Sequence, residues 1–182
     1  MFDTHKSKII FDELMNGRVI NKRDYNQDGS PQDNPLFDEI ISNEDSYRTQ
    51  YLMNGYQLVM EVDHCFIRDN QADTEITDLE KRISVLFLII SRYITKNGYR
   101  FEMLKDPNHG LTEDLIQEID EEETTKELKL KVATDFCKQN LKTAIDKNLY
   151  ERNLMARSKV GRYFLTDSGV AFFDNLFNHD TN

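Results

Sequence analysis

The stretch Leu149-Tyr-Glu-Arg-Asn-Leu-Met-Ala-Arg-Ser-Lys-Val-Gly-Arg-Tyr-Phe-Leu-Thr-Asp-Ser-Gly-Val170 decides how this chain is read. Two short runs suited to strands, Leu149–Met155 and Gly161–Leu165, flank a polar turn at Ala156–Lys159, which predicts a hairpin. Thr166-Asp-Ser-Gly then caps a short helix with Val170, Phe173 and Phe177 on its inner face. Upstream, Leu128, Val132, Phe136, Leu141 and Ile145 recur as on one face of a long helix. Thr124-Thr-Lys-Glu127 reads as the capping box that starts it. Leu111-Thr112 begins a shorter helix.

Before that, Thr77-Asp-Leu-Glu80 is a capping box, followed by Leu79, Ile83, Phe87 and Ile90 and stopped at Asn97-Gly98. Val85, Leu86, Leu88 and Ile89 make this helix apolar nearly all round, so it is expected to be covered on several sides. The first half repeats the order more weakly. Lys6–Met15 forms a helix ended by Gly17. Asn34-Pro35 starts a second helix that runs through Leu36, Phe37, Ile40, Ile41, Tyr47 and Tyr51 to Asn54-Gly55. Gln57–Arg68 then reads as a hairpin around Asp63-His64. Helices followed by a two-stranded hairpin are the parts of a winged helix. The predicted fold is mainly α with small β-hairpins, an α+β class, as tandem winged-helix domains over 1–75 and 76–182.

Asp24-Tyr-Asn-Gln-Asp-Gly-Ser-Pro-Gln-Asp-Asn34 opens like a calcium loop, with oxygens at Asp24, Asn26 and Asp28 and a glycine at Gly29. The twelfth position, which needs a bidentate glutamate, is Pro35, and Pro31 takes the eighth. The stretch therefore reads as an acidic surface turn.

With 38% hydrophobic and 31% charged residues but only 7 Gly and 3 Pro, the composition suits a helix-rich globular protein. The apolar run Ile83–Ile90 is far too short to span a bilayer. No charged-then-apolar leader opens the chain, and Cys65 and Cys137 lie apart in apolar patterns; both features predict a cytoplasmic location. A net charge of −10 argues against strong DNA binding by the chain alone, since that affinity comes mainly from neutralised phosphates. The charge is uneven: acids crowd Glu113–Glu127, whereas Lys142, Lys147, Arg152, Arg157, Lys159 and Arg162 outnumber Asp146 and Glu151.

No phosphate loop, dinucleotide fingerprint or nucleophile elbow occurs. His5, His64, His109 and His179 are scattered, and His64-Cys65 has no second ligand pair at zinc spacing. No enzyme, metal or cofactor is predicted.

The order and character of four stretches carry a resemblance over roughly Phe37–Phe177: QLVMEVDHCFIRD, ITDLEKRISVLFLIISRYI, GLTEDLIQEI and LYERNLMARSKVGRYFLTDSGVAFF. Together they resemble the MukE/MksE family, the accessory subunits of bacterial condensins built on structural-maintenance-of-chromosomes (SMC) ATPases. The resemblance implies a nucleoid-associated homodimer without catalysis. It would bind the kleisin subunit of the MukF/MksF type, reach the SMC-type ATPase through it, and touch DNA within the complex. The chain ends soon after Phe177, which suits the smaller MksE branch or the related anti-plasmid condensins. The competing reading is a free-standing winged-helix transcriptional regulator, which would bind a short DNA site without an ATPase partner.

Two residue sets are candidates for contact. Arg152, Arg157, Lys159 and Arg162 on the second hairpin suit phosphate oxygens. Met53, Tyr56 and Met60 near the first hairpin, with Phe172 and Phe173 near the end, exceed what a small core needs and are expected to serve a partner.

Overall fold

The computed structural model describes residues 3–26, 28–71, 77–132 and 134–178. The expected domain boundary at 75/76 and the side chain of Phe177 lie outside the described residues.

The chain is a mixed α+β fold: helices with small antiparallel strand sets. The first half contains α1 (Thr4–Met15), β1 (Ile20–Asn21), β2 (Arg23–Tyr25), β3 (Pro31–Asp33), α2 (Pro35–Ser42), α3 (Glu44–Met53), β4 (Tyr56–Met60) and β5 (His64–Asp69). Asp3 caps α1 by accepting the amides of His5 and Lys6, and Asn34 caps α2 with Pro35 in the first turn. The single helix expected over 35–53 is broken at Asn43, whose side-chain amide folds back to donate to the Glu39 carbonyl and carboxylate. β1, β5 and β4 pair in that order as an antiparallel sheet, with Val59 opposite Phe66. Its inner face, with α1–α3, encloses a small core of Ile10, Leu14, Phe37, Ile40, Tyr47, Tyr51, Leu58 and Cys65.

The second half begins with α4 (Asp78–Lys96), held at its start by the expected Thr77–Glu80 capping box. A 3₁₀ turn (Phe101–Lys105) leads to α5 (Glu113–Glu121), capped by Thr112. α6 (Glu123–Val132), α7 (Thr134–Lys138), α8 (Leu141–Ile145) and a π-helical turn (Asp146–Tyr150) follow. β6 (Met155–Arg157), β7 (Tyr163–Leu165) and α9 (Asp167–Asn178) close the chain.

Two expectations are corrected here. Thr124 is not a cap, because α6 already starts at Glu123. The long helix over 128–145 is interrupted at Gln139-Asn140, where Asn140 accepts the Thr143 amide and starts a new helix. A buried lysine explains the break. Lys129, 3% exposed, donates to Asp120 at 2.9 Å and to the Gln139 carbonyl, while the other Asp120 oxygen accepts the Leu141 amide. Those bonds satisfy backbone groups that a continuous helix would have paired internally. The larger core gathers Leu86, Phe87, Ile90, Leu104, Ile116, Phe136, Leu149 and Tyr163 around α4.

The halves are joined by a polar seam. The Val19 amide donates to the Arg152 carbonyl at 3.1 Å, and the Asn153 side chain donates to the Val19 carbonyl at 2.9 Å. Asn21 bonds twice, its amide giving to the Asn153 carbonyl and its oxygen accepting the Ser168 amide, both at 2.9 Å. The first half therefore caps the last helix. Asn153 holds a left-handed backbone at φ 62°, a conformation asparagine tolerates better than most residues. Gly169 is required beside it, since a Cβ there would run into the Leu154 carbonyl oxygen.

The presumed acidic turn is a β-hairpin. Arg23, Asp24 and Tyr25 pair with Asp33, Gln32 and Pro31. At its base Arg23 grips Asp167 with two bonds, and Tyr25 meets the ring of Phe164 edge-on at 4.8 Å. Simple alternation would leave Phe164 facing water; this hairpin covers it, and all three β7 residues are buried.

Candidate functional site

Two surfaces stand out, one apolar and one cationic. The apolar one is a groove of about 1020 Å³ between the outer face of the first sheet and the second half. Strand alternation sends Leu58 and Cys65 into the first core and turns Val59, His64, Phe66 and Arg68 outward. Leu79 of α4 and Phe172 of α9 face them across the groove. The His64 ring stacks on Phe66 at 6.1 Å with its Nδ1 against Asp63 at 2.7 Å, and the Arg68 guanidinium lies over the other ring at 6.0 Å.

Arg152 lines the same groove and donates to the Gly17 carbonyl at 3.0 Å. Its Nε–H is buried without a hydrogen-bond partner among the described residues. Burial pushes its pKa below the ordinary value against the attraction of Glu151. Arg152 therefore sits in the seam, apart from the other three candidate cations.

Those three form the second surface, on the β6–β7 hairpin. Its turn is closed by the Ser158 amide donating to the Arg162 carbonyl at 2.9 Å and the Gly161 amide to the Ser158 carbonyl at 2.8 Å. Arg157 leaves β6 to bond Glu113 of α5 at 2.5 Å and to cover the Tyr163 ring at 5.2 Å. Lys142 approaches the same Glu113 carboxylate at 3.7 Å. Lys159 at the tip is exposed, Arg162 is half-buried, and neither makes an ion pair among the described residues. Beneath them the Tyr163 hydroxyl donates to Asp146 at 2.6 Å, and burial, with that bond, raises its pKa well above the phenol value.

The five partner candidates do not share one surface. Met53 is 83% exposed at the end of α3. Tyr56 and Met60 pack against the first core. Phe173 is 7% exposed, stacked on Phe101 at 4.0 Å and edge-on to Phe87 at 5.7 Å. Of the five, only Phe172 lines the groove. Sequence reading missed Val59, Phe66 and Leu79; the signal available was an apolar pair on the outward register of the first hairpin.

His64 and Cys65 point to opposite faces, and burial pushes the Cys65 thiol up to about 12. No group of three metal-type ligands converges among the described residues, and none of their helices is long and apolar enough to cross a membrane.

The family model of condensin complex protein MksE matches residues 5–177. No curated protein matches the chain.

Proposed function

The chain belongs to the MksE family of condensin complex proteins, and from that premise we propose that it is a non-catalytic subunit made of two winged helices in tandem, 1–75 and 76–182. In this reading it works as a homodimer in the cytoplasm, associated with the nucleoid. It binds the kleisin subunit, meets the SMC-type ATPase through it, and presents its second hairpin to DNA within the assembly. The repeated order of helices and an antiparallel strand pair supports the tandem arrangement.

The observation that carries the proposal is the groove. Val59 and Phe66 are an apolar pair on the outward face of a sheet, and Phe172 and Leu79 face them from the other half. Apolar side chains on both walls of an open cleft suit an inserted polypeptide segment, anchored by aromatic contact. The cations of the second hairpin suit phosphate, with the acidic total keeping that contact secondary.

The test is co-expression with an MksF-type kleisin, followed by light scattering. The wild-type chain is expected to form a stable stoichiometric complex. Phe66→Asp is expected to weaken it by roughly 30-fold or more, the loss of a buried interfacial aromatic. R157A/K159A/R162A should leave assembly intact and weaken DNA binding by the complex. Failure to bind any kleisin, with sequence-specific DNA binding by the isolated chain, would replace this reading with that of a regulator.

A further inference from the structure

We propose that the β2–β3 hairpin is an electrostatic guard: its acidic turn stands against the tip of the second hairpin and weakens that hairpin's grip on nucleic-acid phosphate. The proposal rests on the reading that Arg157, Lys159 and Arg162 contact DNA.

The base of the guard is fixed to the second half by Arg23 on Asp167 and Tyr25 on Phe164. Its turn is tightly built: the Gly29 amide donates to the Asn26 carbonyl at 2.8 Å, and the Asn26 amide to the Ser30 carbonyl at 2.9 Å. Gly29 sits at φ +83°, and a Cβ there would lie 2.5 Å from the Pro107 Cβ and 3.8 Å from the Ser158 Cβ. The turn is thus packed on the second half, against the residue preceding Lys159. Glycine serves both the left-handed backbone and the close approach.

Charge follows from that placement. Asp28 accepts the Ser30 amide at 2.9 Å and its hydroxyl at 2.6 Å. Its pKa falls below the usual carboxylate value, first through those Ser30 bonds and further through the attraction of Lys159. The Asp28 carboxylate therefore stands in the turn that packs against Ser158, near enough for Lys159 to attract it though the two form no ion pair among the described residues. Neither Lys159 nor Arg162 has an ion-pair partner among the described residues, and Asp28 is a charge near Lys159 with which phosphate would compete. Arg157 is already engaged by Glu113. The surface that looks most basic in sequence is consequently held down from two directions: by α5 from its own half and by the hairpin from the other.

The experiment compares two single substitutions that change total charge equally. Asp28→Asn removes the acid at the tip and keeps an oxygen for Ser30; Asp33→Asn removes an acid at the far end, opposite Arg23. Full-length proteins, free and in the kleisin complex, are titrated with a short mixed-sequence DNA duplex across a salt series. Asp28→Asn is expected to bind about threefold more tightly at low salt, with a log–log salt slope steeper by up to about one, as one more phosphate contact becomes available. Asp33→Asn should change affinity much less, and Asp28→Asn in a Lys159→Ala background should bring no gain. Equal gains from the two asparagine variants would reduce the effect to overall charge and overturn the guard. So would an unchanged Asp28→Asn affinity while R157A/K159A/R162A has lost binding, and that result would leave the DNA-contact reading standing. An unchanged triple variant would remove the DNA contact itself and the guard with it.

Discussion

The two halves repeat an order of elements yet expose opposite chemistry on their hairpins. In the first, the outward face of β4–β5 carries Val59 and Phe66, and the core beneath it is small and rests on Phe37, Tyr47 and Tyr51. In the second, the outward pair is Ala156 and Phe164, and Phe164 is covered by a strand pair lent from the first half, while the cations Arg157, Lys159 and Arg162 gather at the turn end of the hairpin over a larger core. The lesson is that what packs over a hairpin and what stands at its turn, more than its presence, decide what a half can hold.

Three measurements can break or sharpen that comparison. The largest effect is expected from truncating each core: Phe37→Ala in the first and Phe87→Ala in the second, both fully buried, should each cost about 3–5 kcal/mol. Because the seam ties the halves, urea unfolding of both variants should show one shared transition at lower denaturant; two separate transitions would mean that each half is stable alone. A middle effect is expected from two buried tyrosines. Tyr163→Phe loses a bond to the Asp146 carboxylate and should cost about 1.5–3 kcal/mol. Tyr51→Phe should be near neutral or gain stability, since its hydroxyl is buried without a hydrogen-bond partner among the described residues. Equal losses would contradict the hydrogen-bond assignments. The smallest effect should come from Asn21→Ala, about 1–2 kcal/mol, because it leaves the buried Ser168 amide unpaired. A shift in thermal midpoint smaller than that of a surface substitution would count against the seam.

Much of this was legible in residues whose neighbours in sequence are also their partners. The Thr77–Glu80 box, the spacing Ile83, Phe87, Ile90 and the stop at Asn97-Gly98 bound α4 as expected, since caps and helical faces are local. The helix expected over 128–145 was not local. Leu128, Val132, Phe136, Leu141 and Ile145 keep the spacing across the break at Gln139-Asn140, which comes from Lys129 meeting Asp120 and Gln139. The β2–β3 hairpin had no alternation to announce it: Arg23-Asp24-Tyr25 and Pro31-Gln32-Asp33 hold one large apolar ring, and that ring belongs to a contact with Phe164. The candidate cations were visible as a cluster, whereas the engagement of Arg157 by Glu113 and the withdrawal of Arg152 into the seam depend on groups distant in sequence. Phe66 was readable in principle, because its register opposite Val59 follows from the hairpin alone.

The bond from Ser168 to Asn21 spans 147 positions. A ribosome adding about 5–20 residues per second delivers the two ends of that contact roughly 7–30 s apart. Through that interval the nascent first half carries an unmet asparagine and an unmet Arg23. A message truncated before codon 153 would leave both permanently without their partners, since Asn153, Asp167 and Ser168 would all be missing.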